Sequence, residues 1–102
     1  MSKTFTAQNP ATGQGVGNPI AEWDLVQTSA AIKAADSVKA KLSSTNPTQR
    51  AALLNAIADA IEEQKEKLAE TANQETALPM ARLTGEVMRT VIQIKAFANL
   101  VK

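Results

Sequence analysis

The sequence predicts a mainly α-helical chain that begins with a short β-hairpin. Three observations lead to this fold class. Apolar residues recur at helical spacing on both sides of the segment Glu75–Pro79. Two further stretches upstream open with residues that cap helix N-termini. Residues 1–23 instead combine short alternating runs with glycine and proline, a pattern typical of strands joined by a turn.

The N-terminal arm, residues 1–23, is predicted to contain the hairpin. Residues 3–8 partly alternate and favour a first strand, with Phe5 as its bulky apolar side chain. Residues 9–19 are rich in turn formers, since proline fixes φ and glycine accepts positive φ. We therefore expect a wide loop there and a returning strand over residues 20–23, supported by packing elsewhere, because an isolated hairpin is only marginally stable.

Residues 24–102 are predicted to form amphipathic helices of an incomplete domain, over about 24–43, 47–75 and 80–102. Asp24 followed by Gln27 has the spacing of a capping box, in which each residue's side chain bonds the other's backbone N–H. Asn46 is positioned to cap the second helix, with Pro47 at the first helical position, where the missing N–H carries no cost.

Helix continuity is in question at three places. The charged run from Glu62 to Lys67 favours a solvated face of one long helix, with a supporting Glu63–Lys67 pair, and a break between two shorter helices is the alternative. Pro79 ends that helix, because a proline disfavours the α region for the residue before it. Gly85, near the start of the last helix, suggests a close backbone approach or a bend.

The apolar stripe of the last helix runs almost to Lys102 with no stop signal after it. We therefore expect this chain to be a piece of a larger protein. Its length allows one domain or part of one. Alanine-rich helix faces bury little area each and suit helices that lie on a bigger body. The stripe residues on the two sides of Glu75–Pro79 are Leu54, Ile57, Ala58, Ile61, Leu68 and Ala72, then Leu83, Val87, Val91, Ile94, Phe97, Ala98 and Val101.

Composition excludes several classes of function. The chain has 11 basic and 10 acidic residues and few aromatic ones, which does not fit a nucleic-acid partner. It contains no cysteine and no histidine, so it offers no thiolate nucleophile, imidazole base or common zinc ligand. No apolar run suits a membrane span, and the N-terminus lacks the apolar centre of a signal peptide. We expect a cytoplasmic protein.

No residue pattern in the chain predicts catalysis. Glu62 and Glu66 belong to the charged helix face. Glu75 begins the segment Glu75–Pro79 and Glu86 follows it, and for both a salt bridge or a backbone hydrogen bond is favoured over acid–base catalysis. The glycines from Gly13 to Gly17 lack the spacing of a dinucleotide-binding loop and favour a plain loop. The sequence thus predicts no catalytic, cofactor-binding or metal-binding residue.

Four segments of the chain resemble the NAD(P)-dependent aldehyde dehydrogenases: Asn9–Gly13, Gln49–Ile61, Glu75–Pro79 and Glu86–Ala98. Their order and spacing match over essentially the whole chain, with most similarity to the branch that contains α-ketoglutarate semialdehyde dehydrogenases. The resemblance implies the N-terminal part of that family's α/β fold. The family usually has glycine where this chain has Ala77; a positive φ there would cost alanine about 1 kcal/mol, so we expect a nearly helical backbone.

The resemblance also implies a function. Its members oxidise an aldehyde, here possibly a semialdehyde in the parent protein, to a carboxylic acid with NAD or NADP. Their cysteine nucleophile, catalytic glutamate, oxyanion-hole asparagine and cofactor-binding strands lie further along the chain, so this piece alone should be inactive. The implied partners are the rest of the dehydrogenase chain and a second copy of the fragment. Arg89 is placed nearest the substrate entrance, although a pair with Glu86 is favoured. The alternative is a self-standing helical bundle that acts as an interaction module.

Overall fold

The computed structural model describes residues 3–102, which form a hairpin followed by helices. The elements are β1 (Thr4–Gln8), β2 (Gly15–Ala21), α1 (Leu25–Ser43), α2 (Pro47–Glu63), α3 (Lys65–Thr76) and α4 (Met80–Val101). A mainly helical chain with an antiparallel hairpin is therefore confirmed. Met1 and Ser2, at the start of the predicted arm, lie outside the described residues. Within the described part, none of the helices combines the length and apolarity needed to cross a membrane.

The returning strand of the hairpin is longer than the sequence predicted. β2 begins at Gly15 rather than at residue 20, so the predicted wide loop is wrong in extent. The loop is closed instead by the backbone N–H of Asn9, which donates to the carbonyl oxygen of Gln14 at 2.9 Å. Gly17 has a φ of 73° next to an irregularity in strand register, and its missing Cβ lets β2 bulge there and continue. β1 lies against α3, which supplies the support that a lone hairpin needs.

Both predicted N-caps are confirmed, and each forms a capping box, which the sequence predicts only for Asp24 and Gln27. The Asp24 carboxylate accepts a hydrogen bond from the Gln27 backbone N–H at 2.8 Å, and the Gln27 amide oxygen accepts from the Asp24 N–H at 3.1 Å. Asn46 and Gln49 make the same reciprocal pair at 2.8 and 2.9 Å. Pro47 occupies the start of α2, as predicted. The starts of α1 and α2 are therefore fixed by residues three apart in the sequence.

The predicted helix over residues 47–75 is two helices, so the break that was the alternative is correct. Gln64 lies between them with φ −94° and ψ 10°, outside the α region. Its N–H donates to the carbonyl oxygens of Ala60 and Ile61, which tightens the last turn of α2. The expected Glu63–Lys67 ion pair is absent from the described residues.

The core lies where α4 packs along α2 and α3. Most of its buried residues are alanines, which let helix backbones approach closely but bury little apolar area. An ion pair of 3.2 Å between Asp59 and Lys95 joins α2 to α4 at the surface. The buried hydrophobic residues are Ala51, Ala58, Ala69, Leu83, Val91 and Ala98. The predicted stripes do face this core, but only in part, since Ile57, Leu68 and Phe97 remain exposed.

Helix α1 contributes nothing to this core. Every residue from Leu25 to Ser43 is exposed, including Leu25 at 85% of its reference area. The chain as a whole is flat, with extents of 48 × 39 × 15 Å. Nearly every side chain of such a thin body lies at a surface. The apolar faces predicted by the sequence are therefore largely uncovered.

Candidate functional site

The segment that connects α3 to α4 is a tight reversal built around Ala77. α3 ends at Thr76, and Ala77 follows in the left-handed conformation, with φ 59° and ψ 16°. Its N–H donates to the carbonyl oxygen of Asn73 at 2.8 Å, as in helix C-terminal caps that use a left-handed residue. The expectation of a nearly helical Ala77 is therefore wrong. A left-handed residue turns the chain out of α3 before Pro79, a conformation that glycine would adopt without the strain that alanine bears.

Side chains complete the hydrogen bonding of this reversal. The Asn73 amide nitrogen donates to the carbonyl oxygen of Leu78 at 2.7 Å. The Thr76 hydroxyl donates to the carbonyl oxygen of Ala72 at 2.6 Å and accepts from the Leu78 N–H at 3.2 Å. These bonds satisfy backbone groups that the end of a helix leaves without partners. The reversal is thus a fixed corner rather than a loose linker.

Two apolar grooves flank the corner. The first, which we name the α2–α3 groove, has a volume of about 660 Å³ and is lined by Ile57, Ile61, Leu68, Ala72 and neighbouring residues, with Glu75 among them. The second, the α3–α4 groove, has a volume of about 440 Å³ and shares Ile61, Leu68 and Ala72 with the first. Both are open to solvent and apolar along most of their length, so they suit packing against another apolar surface.

The residues singled out by the sequence do not come together in one site. Glu75 lines the α2–α3 groove, whereas Glu86 lines the α3–α4 groove. Arg89 is exposed on α4 and lines neither of these grooves. The favoured Arg89–Glu86 ion pair is not formed. Within residues 3–102, the oppositely charged groups that lie within 4.0 Å of each other belong to the pairs Asp36–Lys39 and Asp59–Lys95.

The residues that line the two grooves are suited mainly to apolar packing. No charged or polar side chain is buried in the described part of the chain. Residues 3–102 also contain no group of three His, Cys, Asp or Glu side chains arranged to hold a metal ion. Solvated carboxylates on separate helix faces lack the fixed separation that acid–base catalysis requires. The features that remain are the helix caps, the α3–α4 corner and the two apolar grooves, which together fix the positions of the exposed apolar surfaces.

Three interactions that shape these surfaces were not predicted. The Arg50 guanidinium donates to the carbonyl oxygen of Thr45 and, at 3.3 Å, to its hydroxyl, and this fixes the connection between α1 and α2. Asn73 secures the corner, and the Asp59–Lys95 pair joins two helices. Asn73 lies within one turn of the predicted end of its helix, which is a usable local signal. A contact between helices, such as the ion pair, has no local signal.

The described residues thus form a hairpin, alanine-lined helices and a fixed corner, with open apolar surfaces. The chain belongs to the aldehyde dehydrogenase family, whose sequence profile matches residues 1–102. It is similar to the alpha-ketoglutaric semialdehyde dehydrogenase of Acinetobacter baylyi, with 36% identity over 99 residues that cover 97% of this chain and 19% of that protein.

A second relative is the alpha-ketoglutaric semialdehyde dehydrogenase 2 of Azospirillum brasilense. It is 53% identical over 53 residues, which cover 52% of this chain and 10% of that protein. The chain thus spans at most 19% of the length of these two curated relatives.

Proposed function

We propose that this chain is the N-terminal segment of an NAD(P)-dependent aldehyde dehydrogenase that oxidises a carboxylate-bearing semialdehyde to the corresponding acid. The observation that carries the proposal is the similarity to an alpha-ketoglutaric semialdehyde dehydrogenase over 97% of this chain. The family profile over residues 1–102 supports the same class of reaction. The segment itself contains no cysteine, so the thiolate that attacks the aldehyde comes from another part of the parent protein.

The role of the segment is to pack against the rest of the dehydrogenase chain. Three features support this role: the wholly exposed α1, the α2–α3 groove and the α3–α4 groove. Apolar surfaces of this extent are uncommon on proteins that act alone, and they mark surfaces made for contact. NAD or NADP and the aldehyde bind in the remainder of the parent protein.

The self-standing bundle is the weaker reading. A helical bundle buries the apolar face of every helix in a shared core. Here α1 buries none of its residues, and the core is made mostly of alanine. A module that worked alone would leave its longest apolar surfaces in water.

Arg89 is proposed as a positive charge near the mouth of the substrate channel. Its side chain belongs to an exposed position of α4 and is free of the predicted pair with Glu86. A guanidinium there would attract an aldehyde that carries a carboxylate, both at long range and by paired hydrogen bonds. This role rests on the proposed reaction.

A chimera tests the proposed function. Residues 1–102 replace the matched segment of the Acinetobacter baylyi alpha-ketoglutaric semialdehyde dehydrogenase, and formation of NADH or NADPH is followed with α-ketoglutarate semialdehyde. The expected result is an active chimera, together with no activity from the 102-residue chain alone. The unmodified relative and a variant that lacks the segment serve as controls. A chimera that is folded and soluble but inactive would contradict the proposal, as would activity of the chain alone.

A further inference from the structure

We draw no further inference here: the strongest candidate, the exposed apolar face of helix α1 together with the open α2–α3 groove, belongs to the surfaces already assigned to packing against the rest of the parent chain, and nothing in the described residues shows what else covers it.

Discussion

The side chain of Asn73 donates a hydrogen bond of 2.7 Å to the carbonyl oxygen of Leu78 and so spans the corner between α3 and α4. The two residues enclose Ala77, whose backbone is left-handed. The corner is therefore held by hydrogen bonds of the Asn73 and Thr76 side chains, while Ala77 within it is conformationally strained. These two contributions oppose each other, and each can be measured separately.

Asn73→Ala should lower the free energy of unfolding by about 1 kcal/mol, because the carbonyl of Leu78 loses a partner in a partly buried place. Urea unfolding followed by circular dichroism measures this. Asn99→Ala is the control, since Asn99 is exposed on α4 and the change reports only the higher helix propensity of alanine. Asn73→Asp, which keeps the shape but cannot donate, should also destabilise. Equal effects at residues 73 and 99 would contradict a role for the bond.

Ala77→Gly should raise the free energy of unfolding by about 1 kcal/mol, because glycine adopts a φ of 59° without the clash that involves an alanine Cβ. The same urea titration measures the gain. Ala96→Gly, at an exposed site inside α4, should instead destabilise by about 1 kcal/mol. A loss of stability at both positions would show that Ala77 is not strained in solution.

Gly85→Ala should stabilise the chain by about 1 kcal/mol, since Gly85 is helical and a Cβ added there meets nothing within 4 Å. The open space also means that the close backbone approach suggested by the sequence is wrong. Thermal unfolding measures the change. Gly17→Ala is the opposite control, because Gly17 has a φ of 73° and alanine there should destabilise.

The Asp59–Lys95 pair should couple α2 to α4 only weakly. Both side chains are substantially exposed, at 68% and 42%, so solvent screens their attraction. A double-mutant cycle with Asp59→Asn and Lys95→Gln should give a coupling free energy below about 1 kcal/mol. The coupling should shrink further as salt is added. A larger value that does not respond to salt would indicate a buried pair.

Arg89→Gln in the chimera with the Acinetobacter baylyi relative should lower kcat/KM for α-ketoglutarate semialdehyde roughly tenfold, the loss expected for one charge-assisted hydrogen bond. The value for a neutral aldehyde should stay unchanged, because such a substrate has no carboxylate to bind. Arg82→Gln, another exposed arginine of α4, is the control. Equal losses for both substrates would contradict the proposed placement of Arg89.

Local features of the sequence were predictable, and features that depend on other parts of the chain were not. The spacing of Asp24 and Gln27 predicted the start of α1, and Asn46 followed by Pro47 predicted the start of α2, because caps act over only a few residues. The break at Gln64 has no glycine or proline to announce it, and a charged run there fits a solvated helix equally well.

The site shows the same division. Pro79 allowed the position of the α3–α4 corner to be predicted. The left-handed conformation of Ala77 was not predicted, because alanine is a strong helix former and rarely adopts a positive φ. Arg89 and Glu86 have the spacing of an ion pair, yet exposed side chains gain little from pairing and the pair is absent. The role of Arg89 stays a prediction, since the surfaces it would face belong to other parts of the parent protein.

The full exposure of α1 also affects how substitutions in this segment express themselves. A polar residue in place of Leu25, which is 85% exposed, removes little packing within the chain, so the folding of the isolated segment should change little. The same change acts only when the surface meets its partner, as a defect of assembly. Substitutions on the exposed face of α1 should therefore affect association, whereas substitutions of the buried Ala58 or Val91 should affect folding.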